Sequence, residues 1–366
     1  MSSLLKDVYS PAFYERLSNT LAEVIPSFDK QKFIKQIFAG DFKDKELKAR
    51  MRHTSLTLHD FLPPNYAKSV AIIQKTITRL RRAGVAEDGL AWLLFPDYIE
   101  VYGLEDYDSS VKALEFTTQF VSCEFAVRPF LLKYGQKMID QMKEWSLHEN
   151  YKVRRLSSEG SRPRLPWAMA IPALKKDPTP ILPILENLKN DPSEWVRRSV
   201  ANSLNDIAKD HPDIVLKIAK KWKGISKETE AIIRHGSRTL LKQGHSEILK
   251  HYGLESKNIQ LSSLKMLTPE IKIGQSLEFS FSITNNDPAA QKVRLEYAIF
   301  YQRQNGQLSK KVYKISERIY QPKEKASIHR KQKFVLITTR KFYPGAHQLS
   351  IIVNGEEKKK THFELE

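Results

Sequence analysis

An acid and a tryptophan lie in or beside a strongly basic segment at positions 149–167. The arginines of this segment are Arg154, Arg155, Arg162 and Arg164, and they surround Ser157, Ser158 and Ser161. Arginine and serine side chains bind phosphate groups, so this composition predicts contacts with a nucleic-acid backbone. Glu159 interrupts the basic run, and Arg155 at i−4 is available to pair with it. Trp167 follows Pro166 in an extended stretch. It either packs in the core, as most tryptophans do, or offers its face to a sugar or a cationic base.

Two further acids occupy or adjoin predicted helices. Asp206 lies near the carboxyl end of a helix, where the helix dipole disfavours an acid. The ordinary interpretation is a surface carboxylate that balances Arg198 or Lys209. Glu124 lies between two apolar helical segments, and Arg128 at i+4 is its expected structural partner. Each acid alone is weak evidence, but together with Trp167 they form a candidate set for carboxylate chemistry inside a basic helical array.

The sequence lacks the motifs of several other kinds of active site. The sequence contains no phosphate-binding loop, no dinucleotide fingerprint, no HExxH and no G-x-S-x-G. Its histidines have no metal-ligand spacing, and the single cysteine, Cys123, excludes an internal disulfide, a Cys-based zinc site and an iron–sulfur cluster. We therefore expect no metal and no cofactor, and the cysteine content favours a reducing cytoplasm.

Charge is the most informative feature of the composition. The 366 residues include 60 Lys and Arg but only 42 Asp and Glu, which gives a net charge of +18. Such an excess favours a polyanionic partner, either nucleic acid or, less readily, an anionic membrane. No apolar run approaches twenty residues, and the first residues lack the pattern of a secretory signal.

Helical periodicity dominates the first 258 residues. Ser10-Pro11 predicts a helix N-terminus, and further helices are predicted around 29–39, 44–62, 65–83, 88–102, 108–122, 127–145, 149–160, 180–190, 193–209, 212–222 and 228–243. The pattern Lys152-Val153-Arg154-Arg155 returns 43 positions later as Trp195-Val196-Arg197-Arg198. Helix pairs that repeat every 40–47 residues are typical of HEAT-like solenoids. A non-repeating helical bundle is the alternative.

Near residue 258 the period of the apolar residues changes to two. Strands are predicted at 277–283, 293–301, 311–315, 330–338 and 347–353, with Asn305-Gly306 and Asn354-Gly355 as hairpin turns. About a hundred residues of short strands indicate a small immunoglobulin-like β-sandwich without a disulfide. The predicted fold is thus mainly α, with a HEAT-like α-solenoid domain at 1–258 and an all-β sandwich domain at 259–366. The sandwich segment carries 19 Lys and Arg against 10 Asp and Glu, which favours contact with DNA over simple solubility.

Three long motifs resemble one protein family. The stretches SCEFAVRPF (122–130), VRRLSSEGSRPRLPWA (153–168) and DPSEWVRRSVANSLNDIAKDHPD (191–213) are similar to AlkC-type DNA alkylation-repair proteins. These are HEAT-like-repeat DNA glycosylases related to the AlkD type, and some members carry a C-terminal immunoglobulin-like domain. The likeness covers most of residues 1–258.

The resemblance implies an activity and a site. It implies a monofunctional glycosylase that excises N3-alkylated bases, chiefly 3-methyladenine and also 3-methylcytosine, from duplex DNA without flipping the base, leaving an abasic site. The DNA would be held bent on the concave surface of the solenoid by a monomer in the bacterial cytoplasm, associated with the nucleoid. By position in the motifs, the catalytic residues would be Glu124, Glu159, Trp167 and Asp206. The expected DNA-binding residues are Arg154, Arg155, Arg162, Arg164, Arg197 and Arg198.

Two alternatives share the fold. A non-catalytic HEAT-repeat scaffold that binds DNA or RNA would use the same charge but none of the four site residues. A scaffold for protein partners would need an apolar groove and leaves the basic excess unexplained.

Overall fold

The computed structural model describes residues 4–254, 258–336 and 341–366. The chain forms two compact units. One comprises Met1–His211 with Trp222–Gly236, and the other comprises Pro212–Lys221 with Ser237–Glu366. The boundary expected between residues 258 and 259 lies where the chain changes from helices to strands. That it separates two domains stays a prediction.

Sixteen α-helices precede the strands in the described part of the chain. They are α1 (Pro11–Val24), α2 (Lys30–Ile37), α3 (Leu47–His59), α4 (Tyr66–Arg82), α5 (Leu94–Tyr102), α6 (Tyr107–Thr118), α7 (Val127–Tyr134), α8 (Gln136–Trp145), α9 (Tyr151–Gly160), α10 (Pro172–Lys176), α11 (Leu182–Leu188), α12 (Glu194–Ile207), α13 (Pro212–Trp222), α14 (Lys227–Gly236), α15 (Arg238–Gln243) and α16 (Ser246–His251). The expected mainly helical repeat fold is confirmed. None of the helices in these described stretches is long and apolar enough to cross a membrane.

Local sequence explains where these helices begin and end. The Ser10 hydroxyl accepts a hydrogen bond from the Phe13 amide and caps α1, with Pro11 as the first helical residue. The single helix expected over 127–145 is instead two helices, because Gly135 adopts a φ of 51° between α7 and α8. The helix expected over 228–243 is likewise divided, at Ser237.

The repeat predicted from the 43-residue spacing brings α9 and α12 together. The two helices pack side by side, and the Ser158 and Ser199 hydroxyls share a hydrogen bond of 2.7 Å between them. The predicted apolar stripe of α12 is buried, as Val196, Val200, Leu204 and Ile207 show. This packing places the carboxyl end of α9 beside the carboxyl half of α12.

The strands form two sheets, as an immunoglobulin-like sandwich requires. They are β1 (Ile259–Met266), β2 (Glu270–Ile271), β3 (Ser276–Asn285), β4 (Gln291–Gln302), β5 (Leu308–Tyr320), β6 (Lys325–Lys333), β7 (Gly345–Val353) and β8 (Glu356–Leu365). One sheet has the order β1-β3-β6 and the other β2-β8-β7-β4-β5. The Asn354-Gly355 turn joins β7 to β8 with positive φ at both residues, as its sequence predicts. Of the strand expected at 330–338, the end at 337–338 lies outside the described residues.

Candidate active site

A buried ion network joins the ends of α9 and α12. Glu159 lies in the last turn of α9 and is 6% exposed, and Asp206 lies in the last turn of α12 and is 2% exposed. Arg162 stands between them. Its Nη1 donates to Glu159 Oε1 at 2.6 Å and its Nε donates to Asp206 Oδ2 at 2.9 Å. The Lys209 ammonium adds a contact of 3.0 Å to Asp206 Oδ1. Two carboxylates therefore share one buried guanidinium.

Electrostatics keep Arg162 charged. Burial lowers its pKa, but attraction by Glu159 and Asp206 outweighs burial, so the pKa of Arg162 is raised above its ordinary value. A buried cation flanked by acids in this way is fixed in place as well as charged. Arg162 therefore orients both carboxylates.

Arg128 holds the loop that follows α9. The side chain is fully buried, and its guanidinium donates to the carbonyls of Met169, Gly160 and Arg162 at 2.6, 2.8 and 2.9 Å. Burial and repulsion by Arg162 lower the pKa of Arg128 to about 10. The expectation that Arg128 pairs with Glu124 is wrong, because Arg128 points to backbone carbonyls of this loop.

Glu124 has a different partner. Its Oε2 accepts hydrogen bonds from the Ser122 hydroxyl at 2.9 Å and from Arg155 Nη1 at 2.7 Å. Arg155 comes from α9, 31 positions along the chain, so it serves Glu124 and not its helical neighbour Glu159. Both donors bind Oε2, so neither of them contacts the other carboxylate oxygen, Oε1.

Trp167 lies in the loop held by Arg128. Its side chain is 63% exposed, so the core-packing interpretation is wrong. The backbone adopts a φ of 65°, a region that residues with a Cβ rarely occupy. The Lys48 ammonium contacts the Trp167 carbonyl oxygen. The loop therefore presents an aromatic face to solvent in a conformation that its neighbours maintain.

Glu124, Glu159 and Trp167 line one cavity of about 330 Å³ in the helical unit. Arg162 lines it as well, whereas Asp206 does not and lies one hydrogen bond behind it, through Arg162. The structure thus brings together three of the four expected catalytic residues and connects the fourth to them.

The expected phosphate-binding cluster is reorganised in the structure. The prediction that Ser157, Ser158 and Ser161 bind phosphate groups is wrong, because all three are fully buried. Arg162 was expected to contact phosphate. In the structure it is buried between Glu159 and Asp206 and orients these two acids instead. Arg154 is also turned inward, where it forms a two-point ion pair with Asp191 at 2.6 and 3.1 Å.

The remaining expected arginines lie nearer the surface. Arg164 pairs with Asp210 at 2.7 Å, and Arg198 pairs with Glu194 at 2.8 Å across one helical turn. Arg197 donates to the carbonyls of Asp191 and Pro192. Contacts of these side chains with DNA stay a prediction.

Sequence reasoning missed Trp195 and Lys48. Trp195 is 61% exposed, and the guanidinium groups of Arg155 and Arg198 lie 5.7 and 5.9 Å from its ring centroid. The i, i+3 spacing of Trp195 and Arg198 was a signal available in the sequence. Lys48 comes from α3, with its ammonium 5.1 Å from the Phe125 ring centroid, and no local pattern connects it to the loop of Trp167.

Metal ligands do not converge in the part of the chain that the structure describes: it contains no group of three or more His, Cys, Asp or Glu that could hold a metal ion.

The helical repeats, the terminal sandwich and the buried acids define a class, DNA alkylation-repair proteins with a C-terminal immunoglobulin-like domain. Residues 111–240 match the family model described as DNA alkylation repair enzyme, and residues 260–366 match the one described as uncharacterised protein YhaZ, C-terminal Ig-like domain. The chain is similar to a solved structure of alkylpurine DNA glycosylase AlkC from Pseudomonas fluorescens, bound to DNA containing an abasic site analog. The two sequences are 36% identical, the TM-score is 0.93, and the match covers 100% of each chain. The uncharacterized protein YhaZ of Bacillus subtilis is 45% identical over 99% of both chains. The chain belongs to the AlkC-type family of DNA alkylation-repair proteins.

Proposed function

We propose that this chain is a monofunctional DNA glycosylase acting on N3-alkylated bases in duplex DNA, namely 3-methyladenine and also 3-methylcytosine. It would act as a monomer on DNA of the bacterial cytoplasm, without flipping the base, and leave an abasic site. The observation that carries the proposal is the convergence of Glu124, Glu159 and Trp167 on one cavity, with Asp206 bound behind them through Arg162. The similarity to AlkC supports the same activity.

The chemistry of the lesion suits carboxylates. An N3-alkylated adenine in DNA is cationic, so its glycosidic bond is weakened without protonation by an enzyme. As the bond breaks, its electron pair returns to the base, and positive charge develops on the deoxyribose. Carboxylates held beside C1′ stabilise that charge most where water is scarce. Three acids line the cavity, Asp88, Glu124 and Glu159. Glu124 and Glu159 are the two that converge there with Trp167 and Arg162, and we assign this role to them.

Water completes the reaction. Its oxygen forms the new bond to C1′, and a carboxylate that accepts its proton acts as the general base. Glu124 fits this role because both of its hydrogen-bond donors bind Oε2, and Oε1 is then the oxygen that accepts the proton. Asp206, whose two oxygens contact Arg162 and Lys209, acts through the electrostatics of the network.

Trp167 would hold the lesion against the acids. A cation over the face of a tryptophan gains about 1–2 kcal/mol when water is excluded. The exposed ring beside the cavity can stack on the deoxyribose or on the cationic base, and Arg155, Arg164 and Arg198 would contact the backbone nearby.

The test is base release from methylated duplex DNA by the full chain, without added metal or cofactor. Chromatography should show free 3-methyladenine, and 3-methylcytosine from a substrate that carries it. Binding of the DNA without release of either base would contradict the proposal and favour the non-catalytic scaffold.

A further inference from the structure

Glu124 depends on an arginine that the protein does not enclose. Arg155 Nη1 donates to Glu124 Oε2, and the Arg155 side chain is 21% exposed. By contrast, the Arg162 side chain is 8% exposed and is fixed by two buried carboxylates. An arginine side chain has many rotamers, so a partly exposed one needs further contacts to stay in one orientation. The phosphates of bound DNA also compete for its guanidinium.

Trp195 supplies such a contact from the first turn of α12. The guanidinium carbon of Arg155 lies over its ring, 5.7 Å from the centroid, and that of Arg198 lies 5.9 Å from the same centroid. The Arg198 guanidinium is also paired with Glu194 at 2.8 Å. Because the Trp195 ring is 61% exposed, it adds little to the packing of the core. The cation–π contact with Arg155 is therefore the role that the structure indicates for this ring.

The same position of the preceding repeat also holds a group at the cavity. Lys152 and Trp195 begin the repeated motif, 43 positions apart. Lys152 Nζ donates to Asp88 Oδ2 at 2.8 Å, and Asp88 lines the cavity. Trp195 contacts Arg155, whose partner Glu124 lines the cavity as well. This position of the repeat thus contacts a cavity acid directly in one case and through an arginine in the other.

We propose that Trp195 is a positioning residue for base excision, which keeps the Arg155 guanidinium on Glu124 while DNA is bound. The proposal rests on the proposed glycosylase activity, in which Glu124 accepts a proton from water. Only Nη1 of Arg155 donates to a described residue, so Nε and Nη2 can contact the DNA backbone while Nη1 stays on the acid. Without the ring, a phosphate would draw the whole guanidinium away, and Glu124 would lose its orientation.

Substitutions at Trp195 separate this role from a structural one. Trp195→Leu keeps an apolar side chain but removes the π face, and Trp195→Phe keeps a smaller aromatic ring. Tyr151→Leu is the matched control, because Tyr151 is a 41% exposed aromatic residue in the first turn of α9 that does not line the cavity. Trp195→Leu is also made in an Arg155→Gln background, which lacks the guanidinium.

Three measurements are made on each full-length variant. Single-turnover release of 3-methyladenine from methylated duplex DNA, with the enzyme in saturating excess, gives the rate of excision. Binding isotherms on unmodified duplex give the affinity for DNA. Thermal melting shows that each variant is folded, which is expected because Trp195 and Tyr151 are exposed.

We expect Trp195→Leu to lose about five- to tenfold in the rate of excision, because Glu124 is misplaced relative to C1′. Trp195→Phe should lose at most about threefold, since its ring still attracts a cation. Tyr151→Leu should keep its rate, and the DNA affinity of all three should stay within about threefold of the unaltered protein, since backbone contacts elsewhere supply most of it. In the Arg155→Gln background, Trp195→Leu should have no further effect, because the two residues act as a unit.

An equal loss of rate in both backgrounds would overturn the inference. So would a loss of DNA affinity by Trp195→Leu at an unchanged saturated rate, which would assign the ring to DNA itself. Crystal structures of the unaltered protein and Trp195→Leu, each bound to duplex with a tetrahydrofuran abasic analog, provide a readout that needs no excision. Arg155 should bind Glu124 in the first complex and not in the second, and the same arrangement in both would refute the inference. Failure of the proposed function is distinct, since the unaltered protein would then release no base from methylated DNA.

Discussion

Arg162 and Asp206 are joined by a hydrogen bond of 2.9 Å that spans 44 positions of the sequence. The other end of the same guanidinium binds Glu159 at 2.6 Å. Because all three side chains are buried, this arginine holds both acids in place, and Lys209 adds a second contact to Asp206. The network ties the carboxyl ends of α9 and α12 together directly beside the cavity.

Removal of Arg162 should therefore damage both stability and base release. Arg162→Gln leaves two buried carboxylates without their shared cation, and we expect a loss of about 3–5 kcal/mol in the free energy of unfolding. Base release should fall at least about tenfold. The matched control is Arg164→Gln, whose ion pair with Asp210 is partly exposed and contributes about 1 kcal/mol or less. Urea unfolding measures the first effect. Single-turnover excision with the enzyme in saturating excess measures the second, so that a weaker contact of Arg164 with the DNA backbone does not lower the rate. Equal behaviour of the two variants would contradict this role.

No covalent intermediate with a lysine is expected. Lys48 lines the cavity, but its ammonium contacts the Trp167 carbonyl, and the proposed attack is by water. Borohydride added during turnover on methylated duplex DNA should trap no protein–DNA adduct, with a glycosylase that cleaves strands as the positive control. An adduct that disappears in Lys48→Met would identify a Schiff base and refute the monofunctional assignment.

The sandwich segment should contribute to DNA affinity through its charge. Deletion of 259–366 removes 19 Lys and Arg and 10 Asp and Glu. We expect weaker binding and a shallower salt dependence, because each phosphate contact contributes about 0.9 to the slope of log K against log salt. Binding isotherms on unmodified duplex at several salt concentrations measure this. An unchanged affinity and slope would show that this segment does not contact DNA.

The type and order of the elements were predictable because they depend on local patterns. Asn354-Gly355 demands positive φ and predicts its hairpin, and the apolar stripe of α12 predicts its buried face. The division of one expected helix at Gly135 was missed because the apolar period continues through it. Short elements such as α10 and β2 hold too few residues to show a period.

Sequence motifs singled out residues that the structure brings to or next to one cavity, but they did not indicate how the side chains pair. Motifs singled out Glu124, Glu159, Trp167 and Asp206. Their partners come from distant parts of the chain, since Arg155 reaches Glu124 across 31 positions. Helical spacing favoured neighbours at i+4 or i−4, and tertiary packing overrode it. The cavity joins segments from Tyr9 to Trp167, so no local pattern could reveal it.

His347 should make the sandwich sensitive to mild acid. The imidazole is fully buried. It accepts at Nδ1 from the Gln302 amide at 3.3 Å, and its Nε2 lies 3.0 Å from the Tyr343 carbonyl, so the neutral form satisfies both neighbours. Burial lowers the pKa of His347 from its ordinary value of 6.5. The unfolded chain then binds a proton that the folded chain does not, so stability is complete above about pH 6.5 and declines as the pH falls toward the folded pKa.

Hydrogen exchange of the β7 amides, corrected for intrinsic rates, measures this decline. We expect protection to fall below about pH 6.5, with a slope of at most about 1.4 kcal/mol per pH unit for one proton. In His347→Gln this decline should be reduced. Equal pH dependence in both proteins would assign the effect to other groups.

The most direct test of the central claim is single-turnover release of 3-methyladenine, measured beside DNA affinity in the same preparations. Glu124→Gln and Asp206→Asn remove only charge, and Asp210→Asn makes the same change at an exposed ion pair. We predict that the first two variants lose about a hundredfold or more in release while they bind DNA within a few-fold of the unaltered protein, and that Asp210→Asn keeps its rate. Release by both Glu124→Gln and Asp206→Asn at the unaltered rate would contradict the carboxylate mechanism.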